Sequence, residues 1–497
     1  MKVNYKTKLM STKNYLKKVA IAAAGLFASV SYANNLKITG SSVDTAAGTV
    51  TFKIQWDNSW KTNIAPANHD AVWVFVKYQD CADKLWKHAD LSNSAADHTA
   101  AGLLKIDAVN DGKGVFVYRN ANGGGNISST SITLKMNVAA ANYENYNFKV
   151  FGVEMVNIPQ GNFWIGDGSS TSAFTQYEVT GNGAIGSGSI GSGNTAPALF
   201  PKGYSSFYSM KYEITQEQYV EFLNTLTYGQ QARRTITNPN SAAGTSAFNI
   251  SYRNGVKIKV PGNNASIPAV YGCDLINGDF DDLNDGQNLP MNYLNWNDFS
   301  AYLDWAALRP MTEIEFEKIC RGPLAPVAGE YAWGTTEITG FATIENAGQP
   351  TEGVAAVANG RANFGVNSGI GNPTLYQAPV RVGYAATNST GRLSSGASYY
   401  GAMEMSGNLG EFTVAAKTVG STYTGKLGDG ELSTTAATDG DANVESWPDS
   451  AGIIVKGGHF YVVGNGQSNT LRLRTSDRSE PAPGNTRGLA YGGRGVR

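Results

Sequence analysis

Apolar and polar residues alternate strictly along two segments in the first third of the chain. The segments are "GTVTFKIQW" and "SITLKMNV", and in the first the apolar positions are Val50, Phe52, Ile54 and Trp56. Alternation with a period of two places the apolar side chains on one face of a strand. Denser apolar runs such as "AVWVFVKY" are typical of inner strands. The pattern predicts an all-β sandwich over residues 34–153 that folds as a domain of its own.

Helical periodicity replaces alternation after the predicted sandwich. Thr215 with Gln218, and Thr312 with Glu315, have the spacing of a capping box, so each pair predicts the start of a helix. Apolar spacing predicts a further helix within "NWNDFSAYLDWAAL". The stretch "GNGAIGSGSIGSGNT" predicts a flexible surface loop. After Gly322 there is little periodicity, and so much irregular backbone needs internal hydrogen bonds, bound ions, or both.

The first 33 residues have the features of a secretory signal. Six lysines precede the short apolar run "VAIAAAGLFASV", and small residues follow in "SYA". Removal of residues 1–33 leaves 33 basic against 40 acidic residues, a net charge of −7, which disfavours nucleic acid and anionic membranes as partners. No later segment has transmembrane length. We therefore expect a protein secreted to the periplasm, the cell surface or the medium.

Three cysteines, Cys81, Cys273 and Cys320, allow at most one disulfide within the chain, and Cys273 with Cys320 is the candidate pair. Cys320 falls on a predicted helix, where a packing role is expected. The four histidines are scattered, and no CxxC, HExxH or Cys/His cluster is present. The six arginines of the closing segment, residues 468–497, are predicted to tie loops together by hydrogen bonds.

Ten short motifs follow one another in an order that resembles the formylglycine-generating enzyme family, the sulfatase-modifying factors. They include "MVNIPQGNFWIG", "RPMTEIEFEKICRG", "GAMEMSGNLGEFT" and the closing "GGRGVR". The resemblance covers residues 154–497, with insertions near 168–200 and 227–285. It implies an α+β fold with a C-type-lectin-like core, preceded by the all-β sandwich.

The resemblance also locates the residues that carry the family's chemistry. Its oxidase members convert a sulfatase cysteine to formylglycine, using oxygen and a copper ion held by two cysteines five residues apart. The corresponding positions here are Thr470 and Thr475, the second within "RTSDR". A protonated hydroxyl is a poor ligand for Cu(I), which prefers sulfur. We therefore expect no copper binding, no oxidase activity and no catalytic residues.

The resemblance further implies two calcium sites that fix irregular loops. The positions that correspond to the family's ligands are Asn363, Phe364 and Asn372 in the first site, and Glu404, Gly407, Leu409 and Glu411 in the second. Asn372 is an amide where the family has a carboxylate, so we expect the first site to bind more weakly. Two carboxylates with carbonyl oxygens suit calcium better than copper or zinc. The alternative is that Glu404 and Glu411 are solvated or paired with arginine.

Three hypotheses for function remain. The leading one is a secreted, non-enzymatic member of the family that binds or assembles with envelope or extracellular proteins, including copies of itself. The second is an oxidoreductase that acts on a protein cysteine through ligands that no motif reveals, and copper loading with oxygen uptake would separate it from the first. The third is a glycan-binding, lectin-like module, suggested by the fold and by 25 tyrosines. A glycan array would separate the third from the others.

Overall fold

The alternating segments of the N-terminal region, residues 34–153, form strands as their pattern predicts. The computed structural model describes residues 35–138, 143, 145–249, 251–263, 266–276, 278–341, 343–354, 356–365, 378–461 and 470–497. The predicted signal, residues 1–33, lies outside them. The first nine strands are β1 Lys37–Asp44, β2 Thr49–Lys61, β3 Asp70–Asp80, β4 Trp86–Ala89, β5 Thr99–Ala100, β6 Leu104–Ala108, β7 Val115–Arg119, β8 Gly123–Lys135 and β9 Tyr146–Ile158.

The C-terminal region, residues 154–497, mixes short strands with helices. Its strands are β10 Phe163–Ile165, β11 Tyr177–Val179, β12 Phe207–Met210, β13 Val256–Val260, β14 Val270–Cys273, β15 Arg309–Pro310, β16 Gly410–Val414, β17 Ile453–Lys456, β18 Tyr491–Gly492 and β19 Gly495–Val496. Its helices are α1 Ser187–Ile190, α2 Gln216–Leu223, α3 Tyr228–Arg234, α4 Trp296–Trp305, α5 Glu313–Arg321 and α6 Arg392–Ser395. None in the described part of the chain has the length and apolar character needed to cross a membrane.

Two sheets enclose the apolar core of the N-terminal region. The first has four strands in the order β1-β2-β8-β5. The second has eight strands in the order β15-β19-β12-β9-β3-β7-β6, with β4 beside β3. Val50, Ile54 and Leu134 of the first sheet pack in one cluster with Val72 and Val74 of the second. The predicted sandwich is therefore present, and its second sheet also contains strands of the C-terminal region.

Strand β9 crosses the boundary predicted between residues 153 and 154. Residues 146–156 of this strand pair with β3, and residues 155–158 pair with β12. The same strand thus belongs to the sandwich and to the C-terminal region. Independent folding of residues 34–153 stays a prediction.

Strand β3 is buried on both faces. Its valines point into the sandwich core, whereas Trp73 and Phe75 join a second core formed with helices of the C-terminal region. The indole of Trp73 donates a hydrogen bond to the carbonyl of Ala306 (2.9 Å). The ring of Phe75 packs edge-on against Trp305, with centroids 5.2 Å apart. The dense apolar run in the sequence reflects this two-sided burial.

The predicted helix starts are confirmed. Thr215 and Thr312 cap helices α2 and α5, and in each the capping box is complete. Helix α4 has the same arrangement with Asn295 as its cap. Helix α3 is absent from the predictions, although Thr227 supplies a fourth capping box within a predicted insertion. Helix α5 ends at Gly322, as its sequence indicates.

The structure excludes the cysteine pair that the sequence left open. Cys273 and Cys320 do not form a disulfide, because both are free thiols buried in different apolar clusters. Burial raises the pKa of each thiol. The glycine-rich stretch predicted as a flexible surface loop lies largely at the surface, but Ile185 and Ile190 anchor it in the core. Its flexibility stays a prediction. Glycine at the positions around them permits the tight turns that bring the two isoleucines inward.

Candidate functional site

The closing segment holds Thr475 in a closely packed position. The residue is 1% exposed, and its backbone N–H donates to the carbonyl of Glu330 (2.9 Å). Its hydroxyl has no hydrogen-bond partner among the described residues. The adjacent Ser476 donates to Glu317 (2.8 Å) and accepts from Arg321 (2.8 Å), which anchors the segment on helix α5.

Thr470 is the first described residue of the closing segment and is partly buried. Its side chain lies beside Tyr331 and partly offsets the rise that burial causes in the pKa of that tyrosine. The Tyr331 ring stacks on Trp333 with centroids 5.1 Å apart, and both belong to an apolar cluster with Leu473. Thr470 therefore contributes to a packed aromatic surface.

The residues at these two positions do not fit a copper ion. Thr470 and Thr475 present hydroxyl groups, which stay protonated and are hard ligands for Cu(I). Of the three cysteines, Cys320 lies inside a core cluster with Phe316 and Ile319, and Cys81 is exposed in the N-terminal region. The thiolate pair that the oxidase members use has no counterpart at Thr470 and Thr475.

Glu404 and Glu411 belong to a buried cluster of three carboxylates around one guanidinium. Both oxygens of Glu411 accept hydrogen bonds from Arg494, each at 2.7 Å. Glu213 completes the cluster, and it accepts from the backbone N–H of Leu409 (2.8 Å). Each of these charged side chains is at most 6% exposed. Pairing with arginine, the alternative left open by the sequence, is thus realised for Glu411.

Burial raises the pKa of all three carboxyl groups in this cluster. The pKa of Glu404 rises to about 7; one of its oxygens accepts from the N–H of Gly383 (3.0 Å), and the other is buried with no hydrogen-bond partner among the described residues. The pKa of Glu213 rises well above its usual range through burial and the nearby charge of Glu411. Arg494 and the nearby buried Arg381 are two guanidinium groups for three buried carboxylates, so the cluster favours a bound proton or a further cation.

Residues of the two predicted calcium sites lie side by side. The carbonyl of Asn363 accepts from the N–H of Asn408 (2.8 Å), the residue between Gly407 and Leu409. The side-chain amide of Asn363 also donates to that of Asn408 (3.1 Å). Gly407 has a φ of 97°, and a Cβ there would lie 2.5 Å from the carbonyl oxygen of Asn363. Only glycine therefore fits at this contact.

The two carboxylates predicted for the second calcium site keep acceptor capacity beside their observed bonds, and calcium binding there stays a prediction. Glu404 has an unpartnered oxygen, and each Glu411 oxygen keeps a second lone pair beside its bond to Arg494. Phe364 is buried in an apolar cluster, and Asn372 lies outside the described residues. No group of three or more histidine, cysteine or carboxylate side chains in the described part is placed to hold a metal by itself. Calcium sites rich in carbonyl oxygens do not require such a group.

Glu213 and Arg494 are not among the site residues predicted from sequence. Arg494 lies in the closing segment, whose arginines are predicted to tie loops together, and that prediction is confirmed. Arg478, for example, pairs with Glu313 of helix α5 (2.5 Å). No local pattern marks Glu213, because its partners lie far along the chain.

Short strands, four capped helices and long irregular segments held by buried arginine–carboxylate pairs define an α+β domain of the C-type-lectin-like class. Residues 147–497 match the family described as sulfatase-modifying factor enzyme 1-like domain. The match covers more than half of the chain, so the protein belongs to this family, and the resemblance in the motifs is confirmed. The matched range begins within strand β9. A comparison with curated proteins gives no significant match.

Proposed function

We propose that the protein is a secreted member of its family that works by binding other molecules and not by oxidising cysteine. The observation that supports this most directly is Thr475, a buried hydroxyl where the oxidase members have a copper thiolate. Thr470 likewise has a hydroxyl at the position of the other copper thiolate. Without soft ligands, Cu(I) is not held in a form that could activate oxygen.

The remaining thiols are poor substitutes. Cys273 and Cys320 are each at most 1% exposed, and burial raises the pKa of both, so they stay protonated. A protonated thiol is neither a good nucleophile nor a good metal ligand. Cys81 is exposed, but it lies in the N-terminal region, outside the family domain.

Copper loading of the chain from residue 34 to residue 497 tests the proposal. Titration with Cu(I) against a competing chelator should show no tight site. The matched control is the double variant Thr470→Cys/Thr475→Cys, in which both thiols are restored, and we expect it to bind one equivalent. Tight Cu(I) binding by the unaltered protein, with oxygen-dependent loss of the thiol of a sulfatase peptide, would establish the oxidoreductase hypothesis instead.

Two features support a role outside the cytoplasm with a protein partner. The first 33 residues have the composition of a secretory signal, and the hairpin β13–β14 carries an exposed apolar pair, Val260 and Val270, which face each other across its strands. Exposed apolar pairs on one hairpin are suited to contact with another protein or a second copy. Intact mass of the exported protein tests the signal. Light scattering measures the molecular mass in solution. If the valine pair joins two copies, the variant Val260→Ser/Val270→Ser should have a lower mass than the unaltered protein.

We also propose that calcium is a structural ion of this protein, held by Glu404, Glu411 and the carbonyls of Gly407 and Leu409. The support is the excess of negative charge in the carboxylate cluster and the unpartnered oxygen of Glu404. A second, weaker site would involve Asn363 with Phe364 and Asn372. Its weakness follows from the missing carboxylate.

A further inference from the structure

A pocket of about 400 Å³ lies where the N-terminal and C-terminal regions meet. One wall comes from strand β2 and the turn after it, including Trp60 and Asn68. The other comes from Lys211, Tyr212 and residues between 386 and 403. The volume falls within the ~300–1,000 Å³ typical of small-molecule sites. Neither region builds this pocket alone.

Asn68 joins the two walls and fixes the shape of the pocket. Its amide donates to the carbonyl of Tyr400 (2.8 Å), and its side-chain oxygen accepts from the indole of Trp60 (3.2 Å). The Trp60 ring lies against Gly401, where φ is 91° and an added Cβ would come within 2.9 Å of the ring. A ligand would therefore meet a wall that is already in place, which reduces the entropy lost on binding.

Aromatic rings from both regions line the pocket. Tyr399 and Tyr400 are perpendicular, with centroids 4.9 Å apart, and Trp60 lines the pocket with them. Trp60 and Tyr399 are partly exposed, but a cation covers one face of each ring. The ammonium of Lys211 lies 5.0 Å from the centre of the Trp60 ring, and the guanidinium of Arg392 lies 5.3 Å from the centre of the Tyr399 ring. Rings of this kind combine a flat apolar face with a polar edge. With the two cations over them, the rings offer a ligand mainly their edges, which favours oxygen-bearing groups over a flat apolar surface.

The hydroxyl of Tyr212 favours a ligand that offers it a hydrogen bond. The residue is 4% exposed, and its hydroxyl has no hydrogen-bond partner within the described structure. Its ring packs with Ala397 and Met403, which line the same pocket, and the residue also borders a neighbouring cleft. A buried hydroxyl without a partner is unfavourable. A ligand that supplies oxygen atoms here is favoured over a purely apolar one.

Arg392 gives the pocket one cation that no carboxylate neutralises. It donates to the carbonyls of Cys320 (3.1 Å) and Ala332 (3.0 Å), its Nε is buried without a partner, and it forms no ion pair among the described residues. The other cation, Lys211, pairs with Glu154 (3.2 Å). No acidic side chain lines the pocket. A single carboxylate on the ligand would match this guanidinium through charge-assisted hydrogen bonds.

We propose that this pocket binds an acidic sugar, a saccharide unit that carries one carboxylate. The carboxylate of the sugar pairs with Arg392, its hydroxyl oxygens satisfy the hydroxyl of Tyr212, and its ring lies along the edges of Trp60 and Tyr399. This inference rests on the proposed binding role and names a ligand class for it. The two can fail separately, because copper loading does not involve this pocket and a protein partner does not require it.

Two probes that differ at one carbon test the ligand class. D-glucuronic acid and D-glucose share a ring and differ in the carboxylate or hydroxymethyl group at C6. Saturation-transfer NMR and calorimetry on residues 34–497 should show binding of glucuronic acid that is at least about tenfold tighter than that of glucose, the gain expected from a hydrogen bond to a charged group.

Three variants and one control assign the binding to this pocket. Trp60→Ala removes part of the pocket wall and should weaken the binding of both sugars severalfold. Arg392→Gln should weaken glucuronic acid at least about tenfold and leave glucose unchanged. Tyr212→Phe, which keeps the ring and the packing, should weaken both sugars severalfold. Leu199→Ala, an exposed residue outside the pocket, is the control and should change neither.

The outcomes decide the matter. Absence of binding of either sugar to the unaltered protein overturns the proposal, and so does binding that is equally tight in Trp60→Ala and Tyr212→Phe. Equal affinity for the two sugars overturns the assignment of Arg392 to a carboxylate. Melting curves of each variant are recorded alongside, and Tyr212→Phe keeps the test valid if Arg392→Gln does not fold.

Discussion

In the N-terminal sandwich, strands of up to thirteen residues place apolar side chains in one continuous core. In residues 322–497, the longest described strand has five residues, and buried charged groups connect the loops. Arg494 with Glu411, and Arg478 with Glu313, join parts of this segment to each other and to helix α5. One region is held mainly by apolar packing, and the other depends heavily on specific pairs.

The two kinds of stabilisation respond differently to change. Apolar contacts are non-directional, so a core tolerates swaps between side chains of similar volume. Removal of either partner of a buried ion pair is strongly destabilising, because the other partner is left as a buried charge without compensation. Residues 322–497 should therefore be more sensitive to single polar substitutions than the sandwich is. The strand shared by the two regions decides whether damage in one reaches the other.

The largest effect is expected when the regions are separated. A fragment of residues 34–153 would expose Trp73, Phe75 and Phe151, which pack against the C-terminal helices. We expect this fragment to lack a cooperative thermal transition, in contrast to the sequence-based prediction that it folds alone. Circular dichroism and proton NMR of the fragment and of residues 34–497 measure this. A dispersed spectrum with cooperative melting of the fragment would show that the sandwich is autonomous.

The next effect tests the buried pairs. Arg494→Met leaves Glu411 in a cluster with Glu213 and Glu404, so we expect a loss of about 3–5 kcal/mol in the free energy of unfolding. Chemical denaturation measures the loss. Ile54→Val in the sandwich core should cost only about 0.5–1.5 kcal/mol. Lys426→Met removes an exposed pair and should change stability by under about 1 kcal/mol. Equal losses in Arg494→Met and Ile54→Val would remove the contrast between the regions.

Calcium should stabilise the C-terminal region by a smaller amount. An ion that binds only the folded state adds about 2.7 kcal/mol at a hundredfold excess over its dissociation constant. We expect Glu404→Gln to melt like the unaltered protein in chelator and to lose the increase that calcium gives. Glu404 is a cleaner test than Glu411, since Glu411→Gln also disrupts the pair with Arg494. Identical calcium responses in both proteins would show that Glu404 is not a ligand.

The smallest effect concerns pH at the junction of the regions. Burial lowers the pKa of Lys77 on strand β3 to about 7, despite nearby acids that include Glu431 and Asp304, and its ammonium donates to the carbonyl of Gly430 (2.5 Å). Between about pH 7 and 10.5 this lysine is protonated in the unfolded chain and largely neutral in the folded one. The free energy of unfolding therefore rises with pH over this range.

The free energy of unfolding should rise by at most about 1.4 kcal/mol per pH unit through Lys77. Lys77→Met should remove this rise, which denaturation midpoints measured between pH 7 and 9 report. Lys53→Met, at an exposed lysine of the sandwich, is the matched control. Parallel pH profiles for Lys77→Met and the unaltered protein would show that Lys77 is charged in the folded state throughout this range.

Local patterns account for the parts of the fold that could be predicted. Alternation identifies strands β2 and β8, and the capping boxes at Thr215 and Thr312 identify two helices, because each signal lies within a few residues. The pair of Arg494 with Glu411 spans 83 residues, and no local rule connects them. Ile190 is buried because the chain folds back on itself, which its glycine-rich surroundings do not reveal. The positions of Glu404 and Glu411 were found through family resemblance and not from any pattern of their own.

The place of strand β19 has a consequence for how quickly the protein folds. This strand pairs with β12 at Ser209 and with β15 at Arg309, and Arg494 beside it bonds the carbonyl of Met210, 284 residues away in the chain. Such distant pairing must follow the closure of a very long loop, which makes folding intrinsically slow. Until β19 arrives, the edges of β12 and β15 have unpaired backbone groups of the kind that other chains can join. The slow arrival of β19 thus determines how long the edges of β12 and β15 stay open to aggregation with other chains.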